Sequence, residues 1–198
     1  MEDGDTLIYL GVTPGYLYPV TEAEAGINAI ATYLKVTTKQ ITLDLSYYDG
    51  HFTNYDRVNR KGYFENCTSI KKVIIGRGYE TYSSDTGTHG DGSITFSAFS
   101  GCTKLSEVVF KAGASDGIVT IENYVFRGCA ITTMTIPASV NSIYSGALAC
   151  NTLESVTFAN TTGWEIDGAA IDVSDAATNA TKLKAGGAWS NKTLFRSN

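Results

Sequence analysis

The feature that most constrains this chain is a short motif used four times and marked by its cysteines. Cys67 is followed by Ile70, Val73 and Ile75; Cys102 by Leu105, Val108 and Phe110; Cys150 by Leu153, Val156 and Phe158. These three copies share offsets of +3, +6 and +8, and Cys129, with Ile131, Met134 and Ile136, is one residue short before its first apolar position. Upstream, Ile94-x-x-x-Ala98-Phe99, Ile121-x-x-x-Val125-Phe126 and Ile143-x-x-x-Ala147-Leu148 have one form, and the earliest copy keeps Tyr63-Phe64 with Val58 as its nearest aliphatic. Agreement in three parts over four copies identifies a repeat architecture.

The physics of one copy follows from its spacing. The +6 and +8 residues alternate with outward neighbours such as Lys72 and Ile74, or Thr133 and Thr135, which predicts a short strand with one inward face. One such strand cannot bury its face alone. Copies stacked about 4.8 Å apart pair their backbones and share a core, and the Ala-Phe pairs would fill the opposite wall. The cysteines then occupy one internal position in every copy. They are expected as reduced, buried thiols at a turn, a place that suits a small, weakly polar side chain, and without a C-x-x-C pair a zinc or thioredoxin-like site is not expected.

The ends differ from the middle. Thr21-Glu22-Ala23-Glu24 fits a capping box. Ile27, Ile30, Ala31 and Leu34 then form one apolar stripe, so a helix is predicted over about 21–35. Ile41-Thr42-Leu43-Asp44-Leu45 alternates as a strand, over about 40–46. Residues 1–60 are read as an N-terminal cap, 61–160 as the repeats and 161–198 as a C-terminal cap, all in one structural domain. In the last segment Trp164, Ile166, Ile171 and Val173 suggest short β pieces, Ser174 is placed to cap a brief helix through Leu183, and Trp189, Leu194 and Phe195 to close the core.

Composition excludes several classes of function. With 198 residues and a net charge of −5, the chain can bury a core but shows no basic stripe for nucleic acid. No apolar run approaches the roughly 20 residues that span a bilayer. The acidic start, Met1-Glu2-Asp3-Gly4-Asp5, is not a signal peptide, so the chain is expected to be cytosolic or a mature form of a longer precursor. Twenty glycines, twelve tyrosines and three prolines suit β-structure with many turns.

No catalytic constellation is expected. The two histidines are His51 and His89, and His89 lies in the glycine-rich, polar stretch Thr86 to Gly92, without the shielding a general base needs. Asp85-Thr86-Gly87 matches the aspartic-protease triplet, but a second copy and apolar flanks are missing. Asp85 and Asp91 lack the regular spacing of a calcium loop. Asn66, Asn160, Asn179 and Asn191 begin N-x-T sequons, which matter only in a host that glycosylates them. No cofactor and no metal site is predicted.

Ala98-Phe99-Ser100-Gly101-Cys102-Thr103-Lys104-Leu105-Ser106-Glu107-Val108 resembles the BspA-like leucine-rich-repeat family. So does Val125-Phe126-Arg127-Gly128-Cys129, continuing to Thr133-Met134-Thr135-Ile136-Pro137 and Val140; the likeness covers residues 58–160, and the tail from Trp164 to Ala180 also looks like the ends of such proteins from host-associated bacteria. The resemblance implies an α/β repeat fold. In full, it implies a short right-handed leucine-rich-repeat solenoid with a parallel β-sheet, an N-terminal helical cap and an irregular C-terminal cap. It implies an extracellular or cell-surface location, with a possible lipid anchor upstream. It also implies a non-enzymatic, adhesin-like role toward an extracellular protein or glycan; a structural spacer is the alternative and a hydrolase a remote one. The chain is expected to be a monomer. The copies here are few and uneven, with insertions after Ile75 and Phe110, and the family's ligands are diverse, so no ligand carries over.

Two surfaces are candidates for binding. One is the outward face of the strands, where Ile74, Val109, Thr135 and Thr157 stand among Thr42, Asp44, Lys72, Glu107, Thr133 and Ser155. Simple β-propensity also accounts for threonine and valine there. The other is the insertion from Gly76 to Ser93, with Arg77, Tyr79, Tyr82 and His89, near which the loop Tyr47 to Phe52 adds further aromatics.

Overall fold

A computed structural model of the protein describes residues 5–9, 29–45, 62, 64–76, 93–94, 97–111 and 118–197. Within them, strands predominate and two helices occur. The +6/+8 strands of the four copies are β3 (Ile70–Ile75), β5 (Glu107–Phe110), β7 (Thr133–Ile136) and β9 (Ser155–Phe158). The upstream isoleucines lie in a second set of very short strands, β4 (Ser93–Ile94), β6 (Thr120–Ile121) and β8 (Ser142–Ile143), which pair in parallel with one another. The chain thus passes alternately from one set to the other, as an inward residue on each side of a shared core requires.

The first set does not form one continuous ladder. β1 (Asp5–Tyr9), β2 (Gln40–Leu45), β3 and β5 make a four-stranded parallel sheet, while β7 and β9 pair separately. Across the break the Ala130 N–H still donates to the Leu105 carbonyl at 2.9 Å. The discontinuity falls at the Cys129 copy, the one that lacks a residue ahead of its strand. The inward residues keep their phase through it, with Met134, Ile136, Val156 and Phe158 all buried. Val108 and Phe110 are only half-buried and pack on the core from its margin, although their offsets predict full burial.

The opposite wall is a stack of aromatics held by cysteines. Phe64 and Phe99 lie parallel with centroids 5.6 Å apart, and Phe99 and Phe126 repeat this at 5.8 Å. In the fourth copy Leu148 takes the aromatic's place. Each thiol donates to a main-chain carbonyl one copy back: Cys102 to Phe64 (3.0 Å), Cys129 to Phe99 (3.1 Å) and Cys150 to Phe126 (3.0 Å). Main-chain amides run the other way, from Phe99 to the Val125 carbonyl and from Phe126 to that of Ala147. All four cysteines are free and buried.

The two ends close the stack by different means. Helix α1 is described over 29–36, with Ala31 and Leu34 buried and Ile30 packed beside them; the capping box at Thr21 and Ile27 lie outside the described residues. Its carbonyls stand where a preceding copy would offer them: the Cys67 thiol reaches Ala31 at 3.8 Å and the Ser69 hydroxyl reaches Leu34 at 2.6 Å. The Leu34 carbonyl lies in the helix's last turn, where carbonyls have no partner inside the helix, and the Ser69 hydroxyl occupies it. β1, which no sequence pattern announced, extends the sheet beyond β2 in parallel register from Asp5↔Gln40 to Tyr9↔Asp44.

At the other end β12 (Leu194–Arg196) pairs antiparallel with β8, and β10 (Trp164–Ile166) and β11 (Ala169–Ala170) follow it in the same sheet. The Gly146 N–H donates to the Ser190 carbonyl at 2.7 Å, where the earlier copies donate to a following copy. Helix α2 (Ala176–Leu183) is capped by Asp175, whose carboxylate accepts from Thr178 N–H. Ser174 was the expected cap, but its own N–H is held by Asp172 at 2.8 Å. Trp189 and Leu194 are buried as expected, whereas Phe195 is 42% exposed and meets Tyr144 edge to face outside the core.

Candidate binding face

The outward residues of the strands form ordered rows because the pairing is parallel and in register. One row runs Thr42, Lys72, Glu107 and the next Asp44, Ile74, Val109 across β2, β3 and β5. Lys72 and Glu107 pair at 2.6 Å, which neutralises charge at the centre of the first row. Ile74 and Val109 are neighbours in the second row and both are half-buried, so two aliphatic side chains are partly exposed beside that ion pair. Their own strands bury Val73 and Ile75 inward, and Val108 on the core side.

Beyond the break the face changes character. Thr133 pairs with Ser155 and Thr135 with Thr157 across β7 and β9. The three threonines are exposed, and the block carries only hydroxyls on its outward side. The structure therefore brings Ile74 and Val109 together, brings Thr135 and Thr157 together, and sets the two pairs on separate ladders. Arg77, Tyr79, Tyr82 and His89, and the loop Tyr47 to Phe52, lie outside the described residues.

The thiols are poorly suited to chemistry. Burial pushes the Cys67 and Cys150 thiols up to about 12. It raises Cys102 and Cys129 in the same direction, and neighbouring thiols add to the effect there. Thiols that keep their protons are not nucleophiles or metal ligands at neutral pH. Among the described residues no group of three His, Cys, Asp or Glu side chains could hold a metal ion. Of the sequon asparagines, Asn66 and Asn191 are exposed, while the Asn160 side-chain oxygen accepts from Thr162 N–H and Oγ1. Asn179 is fully buried and structural, its amide donating to the Val156 and Val173 carbonyls.

Sequence reasoning missed two surface features. Phe195 and Tyr144 make an aromatic pair on the second sheet, hidden from a linear reading because β12 joins β8 from far along the chain. Lysines also gather at the N-terminal ends of β2, β3 and β5, although no basic stripe is visible along the sequence. No repeat offset marks them, since Lys71 and Lys104 stand four and two residues after Cys67 and Cys102 and Lys39 precedes the first cysteine; only the register groups them.

Comparison with known proteins agrees with the repeat. The family model for the BspA type leucine rich repeat region matches residues 90–172 in six copies, where alignment on the cysteines counts four over 58–160. The Cys67 copy lies ahead of the matched stretch, yet its thiol, its strand and Phe64 have the same places as in the later copies. No curated protein and no solved structure matches the chain.

Proposed function

We propose, from the match of residues 90–172 to the BspA type leucine rich repeat region, that the chain is a non-enzymatic, surface-located or secreted protein-binding module. Its copies stack into a short right-handed solenoid, and it engages a protein ligand across the outward face of its strands. The family is usually extracellular or at the cell surface, which supports the location. Among the described residues no helix is long and apolar enough to cross a membrane.

The observation that carries the reading is the Ile74–Val109 pair. Two aliphatic side chains side by side on an outward face, flanked by Asp44 and the Lys72–Glu107 pair, give an apolar centre with a polar rim. That is the arrangement that concentrates binding energy at protein interfaces. The hydroxyl block of Thr133, Thr135, Ser155 and Thr157 extends the same surface with hydrogen-bonding groups.

The test is a pull-down against purified extracellular-matrix proteins with the wild-type chain, the Ile74→Ala/Val109→Ala variant and the Thr135→Ala/Thr157→Ala variant. The reading expects a captured protein whose binding falls about tenfold or more in the first variant. Capture that both variants leave unchanged would assign the face to spacing rather than recognition.

A further inference from the structure

We propose that the chain carries a second interaction surface, a basic rim at the N-terminal ends of β2, β3 and β5, which binds a sulfated polysaccharide. Lys35 lies in the last turn of α1, Lys39 immediately precedes β2, Lys71 stands near the start of β3 and Lys104 shortly before β5; all four are exposed. Residues 39, 71 and 104 are far apart in sequence. Parallel register brings them together, because Ile41 aligns with Ile70 and Lys72 with Glu107. Adjacent strands are about 4.8 Å apart, so β2 and β5 differ by about 10 Å. The Ser69–Leu34 hydrogen bond at 2.6 Å ties the end of α1, and hence Lys35, to the same level of the stack.

Charge sets this rim apart. The chain as a whole carries −5. The nearest acidic groups on these strands are Asp44 and Glu107, and Glu107 is engaged by Lys72. Glu65 stands on the turn ahead of Cys67. Further along the stack the place of Lys71 is taken by Ser106, Thr132 and Glu154 and that of Lys104 by Ala130 and Thr152, so the positive character ends at the start of β5. The exposed ammonium groups of Lys35, Lys39 and Lys104 fit a linear polyanion whose charges repeat every few ångströms.

The surroundings favour a sugar over an acidic protein. Thr103 and Ser106 offer exposed hydroxyls between the lysines. Tyr33, 42% exposed on α1, presents a ring able to stack on a pyranose, and Val36 beside it is 76% exposed. The paired aliphatic anchors that a protein interface needs lie on the outward face instead, at Ile74 and Val109.

The test uses the full chain and three soluble competitors on a heparin surface: heparin, dextran sulfate and polyglutamate. Wild type is expected to bind heparin and to lose binding as salt rises from about 0.01 to 0.15 M, where the Debye length shrinks from about 30 to 8 Å. Lys35→Gln/Lys39→Gln/Lys104→Gln should weaken binding about tenfold. Lys111→Gln/Lys184→Gln/Lys192→Gln removes the same charge elsewhere and should stay within about twofold. Equal losses in both triple variants, no loss in the first, or preference for polyglutamate over dextran sulfate would each overturn the proposal. The Ile74→Ala/Val109→Ala variant should keep heparin binding, so failure here is distinguishable from failure of the outward face.

Discussion

The Sγ of Cys129 donates a 3.1 Å hydrogen bond to the main-chain carbonyl of Phe99, one copy earlier in the stack. The same Phe99 sends its own N–H forward to Val125 at 3.0 Å. Each copy is therefore tied backward by a thiol and forward by an amide, and the thiol must keep its proton for the backward tie to exist. This gives the recurring cysteine a reason that size alone does not. An alanine would fill much of the space but leave the tie unmade.

Proton retention predicts both reactivity and alkaline stability. With the native thiols buried and their pKa values raised, a thiol reagent at pH 8 should find few groups in the folded protein and four after unfolding in urea. A thiol whose pKa is higher folded than unfolded contributes fully below its unfolded value, near 8.5, and loses that contribution as pH rises toward the folded value. For Cys67 and Cys150 the folded value is about 12. Urea midpoints should thus fall above about pH 9, each thiol adding up to ~1.4 kcal/mol per pH unit. An unchanged midpoint from pH 8 to about pH 10 would refute the assignment.

The aromatic wall can be tested at its last ring. Phe126 is fully buried and stacks on Phe99 with an interplanar angle of 6°. Phe126→Ala should cost ~3–5 kcal/mol, as loss of a buried aromatic does. The double change with Phe99→Ala should cost less than the sum, because each ring already exposes part of the other's face when removed. Strict additivity in chemical denaturation would mean the rings do not share a cavity.

Backbone geometry supplies a contrast between glycines. The residue before the cysteine is left-handed in three copies, at Asn66 (φ 61), Gly101 (φ 73) and Gly128 (φ 72). At Gly101 an added Cβ would also run into the Asn66 side-chain oxygen. At Gly168 (φ 77), in the β10–β11 turn, it would meet nothing. Gly168→Ala should therefore cost about 1 kcal/mol from conformation alone, and Gly101→Ala clearly more. Equal losses in thermal melts would show that crowding at Asn66 relaxes without cost.

The repeat was legible because it is written in local spacing. The +3, +6 and +8 offsets named the buried residues of β3 and β9 directly, the same pattern one residue shorter named those of β7, and the Ile-x-x-x-Ala-Phe half named the second set of strands. What spacing cannot carry is partner choice between distant segments. β1 joins β2, and β12 joins β8, through pairings set by register rather than motif. The aliphatic pair Ile74–Val109 was visible as outward residues, but only the register shows them adjacent. Phe195 looked like core by composition and is not, because Leu194 takes the inward position and strands alternate.

Asn179 offers the sharpest test of how the stack ends. Its side chain is 0% exposed, and its amide nitrogen donates to the Val156 carbonyl on β9 (3.0 Å) and the Val173 carbonyl (2.8 Å). Val156 belongs to the last strand of its ladder, so the amide stands in for the backbone of a further copy and covers an edge that would otherwise stay open. Asn179→Asp keeps the shape but replaces two donors with oxygen facing two carbonyls, and should cost ~3 kcal/mol or more. Asn179→Ala should cost less, since it leaves two carbonyls unpaired without opposing them with a charge. The Asp variant should also recover on acidification, when its carboxyl regains a proton to donate. If urea denaturation ranked Ala as the worse change at neutral pH, packing volume rather than hydrogen bonding would be what Asn179 supplies.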